Sequence, residues 1–282
     1  NVLGTVEVAR LAASGKIKAV TFVSSIAVAD LRVYDAPVEE NVPAAELLPT
    51  TEPNGTYGNG YALSKWAAEI VLECAVEKFG IPVKIVRCGM LLPADGEEPN
   101  SDDFLARLIV SLASTGIAPR SFYRLQDRSR SVRSFYGMPA SEVAHFIAGL
   151  AYEPPSRGAA TFHAVNRPSE SVSLDQIVDW LIDEGIPLER IDDYRQWFDR
   201  FSERLQQLSP QLRARTSLAI LHQWSSPLDP DQINRFDNRI FEQRFAQLAL
   251  RAGASRIIPP VCRAQIRGYI DGLGVRSLLA AN

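Results

Sequence analysis

The feature that most constrains this chain is the recurrence of short, continuous apolar runs between stretches of helical periodicity. Ile17 to Val23 reads I-K-A-V-T-F-V, and Pro82 to Val86 reads P-V-K-I-V. A run of that length without polar alternation suits a strand covered on both faces, as in a parallel sheet. Parallel neighbours need crossovers of a dozen or more residues, and helical segments stand in the right places. Residues 1–14 carry apolar Leu3, Val6 and Leu11, then stop at Gly15 with Lys16 and Lys18 beyond it, a helix with a C-terminal signal. Gly60 to Phe79 places Leu63, Trp66, Ala67, Ile70 and Cys74 at helical spacing, and Gly80 and Pro82 end it. Helix, strand, long loop, helix, strand is the order of an α/β fold with a parallel sheet.

The rest of the chain is more helical. Ser101 or Asp102 is the expected cap of a helix running to Thr115, with Gly116 as its stop. Pro139 opens a helix to about Tyr152, Ala160 to Val165 reads as a strand, and Ser173 with Gln176 makes a capping box for a helix through Glu184. Tyr194, Trp197, Phe198 and Phe201 fall at helical spacing and are expected to pack. Residues 30–59, and 117–138 with Arg120, Arg124, Arg128, Arg130 and Arg133, read as long loops; such loops are uncommon unless functional. We expect two domains, residues 1–170 with the sheet and 171–282 as a mostly helical subdomain.

Composition removes several classes of function. The net charge of -3 offers no basic face for duplex nucleic acid. Cys74, Cys88 and Cys262 are far apart and odd in number, which argues against a disulfide framework or zinc site and fits a reducing cytoplasm. His145, His163 and His222 are isolated, so we expect structural or surface roles. No apolar run reaches the length of a membrane span and no signal peptide is visible. Asn1 stands at the start of a helical pattern, so the chain is expected to begin inside a fold.

Chemistry concentrates on one helix. Tyr61 and Lys65 are four apart and share a face near its start. A phenol titrates near ~10, and a neighbouring ammonium favours its ionised form, so such a pair can exchange a proton near neutral pH. Ser25, at the end of the first apolar run, stands 36 positions before Tyr61 and could hold a substrate oxygen. Ligands of open α/β sheets sit beyond the carboxyl ends of the strands, which directs attention to Ser24-Ser25, Arg87-Cys88-Gly89-Met90 and the helix start at Tyr61.

These segments, N-V-L-G-T at 1–5, T-F-V-S-S at 21–25, Y-A-L-S-K at 61–65 and V-R-C-G-M at 86–90, resemble the extended short-chain dehydrogenase/reductases. F-L-A-R-L-I-V-S-L-A-S-T-G-I-A-P-R-S-F-Y at 104–123 and D-Q-I-V-D-W-L-I-D-E-G-I-P-L-E-R-I at 175–191 narrow the resemblance to the thioester reductase domain of carboxylic acid reductases and nonribosomal-peptide-synthetase termini. The resemblance implies a Rossmann-like sheet, of which this chain carries the second half, and NADPH as cofactor. It implies Ser25, Tyr61 and Lys65 as the catalytic set, Lys65 also holding the nicotinamide ribose. Asn1 matches the family Asn, and Cys88, Gly89 and Met90 match the segment lining the nicotinamide. The implied reaction reduces an acyl thioester to an aldehyde. The thioester would arrive on a phosphopantetheinylated carrier domain, with an adenylation domain upstream and the cytoplasm as compartment.

Two departures stand out. No G-x-x-G-x-x-G or G-x-G-x-x-G occurs in the 282 residues, so the turn that receives the pyrophosphate is missing. We expect the chain alone to bind NADPH poorly. Gly89 stands where carboxylic acid reductases usually carry Asp; related thioester reductases also carry Gly there, so ordinary family variation is the first reading, and a roomier pocket that admits a second reduction, to the alcohol, is the sharper one. Two rival readings stay open. One is a nucleotide-sugar epimerase or dehydratase of the same superfamily, which shares Ser25, Tyr61 and Lys65 but leaves 104–123 and 175–191 unexplained. The other is a non-catalytic remnant that docks a carrier domain.

Overall fold

The computed structural model describes residues 1–31, 37–47, 57–94, 96–124, 137–154, 158–166, 171–229, 236–254, 258 and 260–280. The chain forms two compact units. The first comprises Asn1–Leu91, Tyr136–Arg167 and Asn234–Pro259; the second comprises Leu92–Phe135, Pro168–Ile233 and Pro260–Asn282. A boundary at 170 thus falls near one of several points where the chain passes from one unit to the other.

The first unit is built on a parallel sheet of three strands. Val83–Cys88 is central, with Val20–Ser25 on one side and Ala159–Ala164 on the other. The central strand is buried at every position, which explains why its sequence lacks polar alternation. Alternation sends its side chains to opposite faces. On one face Val20, Val83 and Ile85 pack with Ala9, Ala12, Leu72, Ala75 and Ile81, under the helices Val2–Ala13 and Tyr57–Phe79. On the other, Val86, Cys88, Phe162 and Ala164 pack with Phe146, Phe241 and Phe245 of the helices Ala140–Ala151 and Arg239–Arg251. Both faces of the sheet are therefore covered by helices, the arrangement expected of an α/β fold.

The two polar side chains of the central strand are buried with partners. Lys84 donates to the Leu150 carbonyl at 2.5 Å and lies 3.6 Å from Glu153; Arg87 pairs with Glu69. The strand after Gly15 begins at Val20 and runs through Ser25, later than the apolar run suggests. The loop expected over 30–59 is shorter than read from sequence: a 3-10 helix occupies Ile26–Leu31, a short helix Ala44–Leu47, and the long helix starts at Tyr57.

The second unit is mostly helical. Phe104–Thr115 is capped by Asp103, not Ser101 or Asp102, because the Asp103 carboxylate accepts from the Ala106 N–H at 2.6 Å. Leu174–Asp183 is capped by Ser173 and Tyr194–Gln207 by Asp193. Ile117–Pro119 and Glu189–Ile191 form a short parallel pair. Trp197 and Phe201 are buried, with Phe122 edge-on to Trp197 at 5.5 Å between ring centres, so the expected aromatic face is packed. No described helix is long and apolar enough to cross a membrane.

Candidate active site

The three parallel strands end side by side. Ser25 is in register with Cys88, and Cys88 with Ala164. Gly89 continues this edge, its N–H donating to the Ala164 carbonyl at 3.0 Å, and Met90 opens the short strand Met90–Leu92. The segments singled out at Ser25 and at Cys88, Gly89 and Met90 are therefore neighbours at the carboxyl end of the sheet, where ligands of such sheets bind. The Cys88 thiol is buried, and burial pushes its pKa up to about 12 against a smaller pull from Lys65. It stays a thiol at neutral pH and lines the edge without acting as a nucleophile.

The helix Tyr57–Phe79 brings Lys65 to the same edge. Its ammonium donates to the Val23 carbonyl at 2.8 Å and stands 5.0 Å from the centre of the Phe22 ring. Lys65 is thus anchored to the strand that ends in Ser25. Tyr61, one turn earlier, is half exposed, so its phenol is open to a ligand. No described hydrogen bond joins Tyr61 to Ser25. The Ser25 hydroxyl oxygen instead accepts from the Ala27 N–H at 3.2 Å. A hydroxyl has one donor and two lone pairs, so the Ser25 O–H is still available to a substrate oxygen. Asn1 joins the site indirectly: its amide donates to the Ser64 hydroxyl at 2.8 Å, and Ser64 donates to the Tyr61 carbonyl at 2.8 Å.

Beneath this edge lies a buried polar network that the sequence motifs do not reveal. Ser24, Arg87 and His163 form one row across the three strands, and register partners in parallel strands share a face. Glu69, four residues beyond Lys65 on the long helix, is fully buried. It accepts from the Ser24 hydroxyl at 2.5 Å and from Arg87 at 2.7, 3.1 and 3.2 Å. Arg87 also donates to the Val42 carbonyl at 3.2 Å and lies 3.3 Å from His163 Nε2. His163 Nδ1 is 2.9 Å from the Asp237 carbonyl, which can only accept, so Nδ1 carries the proton and Nε2 receives from Arg87. Burial first, and then Arg87, push the His163 pKa down to about 3. Glu40 closes the network, accepting backbone N–H groups of His163 at 3.0 Å, Ile240 at 2.5 Å and Phe241 at 2.9 Å. The available signal was a carboxylate at Glu69 between buried Ala68 and Leu72, and an arginine inside a buried strand.

The other sequence candidates lie elsewhere. Arg120, partly exposed, pairs with the exposed Asp192 at 3.4 Å, and Arg124 donates its backbone N–H to the Leu228 carbonyl. Arg128, Arg130 and Arg133 lie outside the described residues. Among the described residues no group of histidine, cysteine and carboxylate side chains could hold a metal ion. The donor set at the strand ends suits the nicotinamide ribose. An ammonium carries three N–H donors, and the one described bond of Lys65 goes to Val23, which leaves donors for ribose hydroxyls.

The chain is similar in sequence and fold to known proteins. The carboxylic acid reductase of Mycobacterium marinum is 35% identical over 283 residues, covering 99% of this chain and 24% of that protein. The reductase domain of a nonribosomal peptide synthetase from Mycobacterium tuberculosis has a TM-score of 0.86 at 32% identity, covering 99% of this chain and 65% of that one. The UDP-glucuronic acid 4-epimerase of Bacillus cereus has a TM-score of 0.55 at 12% identity, covering 97% of this chain and 67% of that one, a likeness of fold alone. The chain thus spans about a quarter of the curated reductase it matches. A family model described as the male sterility protein, an NAD-binding family, matches residues 1–147, more than half of the 282. The chain belongs to the NAD-binding male sterility protein family.

Proposed function

We propose that this chain carries the acid–base part of an NADPH-dependent reduction of a phosphopantetheine-bound acyl thioester to an aldehyde. The observation that carries the reading is Lys65 anchored to the strand of Ser25, one turn from an open Tyr61. Residue-level likeness to reductases supports it over the epimerase, whose likeness is of fold alone. When bound, the nicotinamide supplies the hydride that adds to the thioester carbonyl carbon. The Ser25 O–H and the Tyr61 phenol hydrogen-bond the carbonyl oxygen as its charge develops, and Tyr61 gives it a proton. Lys65 binds the ribose, and Cys88, Gly89 and Met90 form the wall beside the ring. The resulting thiohemiacetal loses its O–H proton and breaks its C–S bond, releasing the carrier thiol and the aldehyde. The partner is a phosphopantetheinylated carrier domain fed by an adenylation domain, and the compartment is the cytoplasm.

The test is Tyr61→Phe in the full-length protein, following thiol release and NADPH oxidation together. General acid catalysis is worth about 10²–10⁴-fold, so kcat should fall by that order with the fold intact. Activity equal to wild type removes the reading. With NADH offered in place of NADPH, a comparable kcat/KM removes the assignment of the phosphorylated cofactor. Accumulation of alcohol under excess NADPH would support a second reduction permitted by Gly89; aldehyde as the sole product removes that extension.

A further inference from the structure

We propose that Glu69, with Ser24 and Arg87, is the positioning brace of this site, holding the Tyr61–Lys65 helix in register with the ends of the strands. The inference rests on the reductase reading and deepens it. The brace touches neither substrate nor cofactor. It acts through the residues next to those that do.

Its connections are specific. Glu69 lies one helical turn beyond Lys65 and two beyond Tyr61. Its carboxylate holds Ser24, the neighbour of Ser25, and Arg87, the neighbour of Cys88. Arg87 extends the row to His163, the neighbour of Ala164. One buried carboxylate on the helix is thus linked, directly or through Arg87, to all three strands. Each link lies one residue before the end of its strand. Lys65 to Val23 makes a second tie between the same helix and the same strand.

A buried ion pair with its hydrogen bonds satisfied is a poor source of net stability and a good source of fixed geometry. Here that geometry is the distance between the helix bearing the acid and the strand bearing Ser25. Apolar packing alone would leave the helix free to slide by fractions of an ångström against the sheet. The short Ser24 to Glu69 bond and the multiple Arg87 contacts forbid that slide. Such slides matter because a misplacement of about 1 Å can cost a reaction about a hundredfold.

The experiment uses the full-length protein, with Ser24→Ala, Glu69→Gln and Tyr61→Phe singly, and Ser24→Ala combined with Tyr61→Phe. Melting temperature and circular dichroism report the fold; kcat and KM report the site. The brace predicts that folded Ser24→Ala and Glu69→Gln lose about ten- to a hundredfold in kcat while KM changes by less than about twofold. It also predicts that Ser24→Ala costs little further once Tyr61 is Phe, because the acid it positions is gone. Wild-type kcat in a folded Ser24→Ala overturns the brace, as do losses that simply multiply in the double variant. If Glu69→Gln fails to fold, Ser24→Ala decides by the same criteria. An inactive wild type, or a fully active Tyr61→Phe, overturns the reductase reading itself and the brace with it. An active wild type, an impaired Tyr61→Phe and an unimpaired Ser24→Ala overturn the brace alone.

Discussion

At the scale of residues, the outer rim of the site is legible in sequence and its support is not. Ser25, Tyr61 and Lys65 are polar groups in a recognisable spacing; Ser25 ends its strand, Lys65 is tied to that strand at Val23, and Tyr61 lies one turn before Lys65 on the same helix. Glu69, Arg87, His163 and Glu40 meet across sequence separations of 18 to 123 residues, and no local pattern announces such a meeting. Two of them set a pH dependence. Burial raises the Glu40 pKa from 4.5 to about 7, against three backbone N–H groups that favour the carboxylate. A raised folded-state pKa means stability that is full below the unfolded value and lost as pH rises through the folded one. Glu40 therefore costs stability as pH climbs from 4.5 to about 7. His163 has the opposite sign: its pKa falls from 6.5 to about 3, so its contribution is full above 6.5 and lost as pH falls through 3. Between 4.5 and 6.5 the two slopes oppose each other. Thermal melts should show Tm falling between about pH 6.5 and about pH 8, where the Glu40 slope is no longer opposed, with a smaller fall in Glu40→Gln. An equal fall in both proteins would assign the slope to other groups.

At the scale of elements, the types were legible and the buried faces were not. The helix signal of Leu63, Trp66, Ala67, Ile70 and Cys74 is correct in period, yet these residues are half-buried or exposed. Ala62, Ala68, Glu69, Leu72 and Ala75 are the buried ones. The first helix repeats the pattern: Thr5, Ala9 and Ala12 are buried, while Leu3 and Leu11 are exposed. Small side chains let a helix lie close to the sheet, so periodicity of large residues points to the wrong side. Helix ends were read better because their chemistry is local. Gly116 ends its helix with φ +68°, and a Cβ placed there would meet nothing nearer than the Pro187 carbonyl at 3.9 Å. Gly116→Ala should therefore cost only the backbone term, about 1–2 kcal/mol. Urea unfolding should show that loss with an unchanged m-value, and Gly116→Asn should recover part of it, since Asn tolerates the left-handed region. A cost near zero for Ala would mean the helix end re-forms with a different cap.

At the scale of the whole molecule, the first unit leaves an apolar surface that its own described core does not use. Leu3, Val8, Leu11 and Phe79 are 81%, 48%, 63% and 58% exposed. Beside them a groove of about 550 Å³ runs between the helices Val2–Ala13 and Tyr57–Phe79, lined by Val6, Ile70, Val71 and Cys74. Ser25, Tyr61 and Lys65 do not line it, so the groove has no part in the proposed chemistry. The strand Val20–Ser25 stands at the edge of the described sheet, with exposed Val23 on it. Apolar patches of this kind and open strand edges both favour association. The 282-residue chain by itself should then sediment as larger species as its concentration rises. Leu11→Glu with Phe79→Glu places two charges on the helices flanking the groove and leaves every residue of the brace untouched. If the patch drives association, the double variant stays monomeric at concentrations where the parent does not, with an unchanged far-ultraviolet spectrum. If both associate equally, the strand edge is responsible, and a charge at Val23 should then be the change that disperses them.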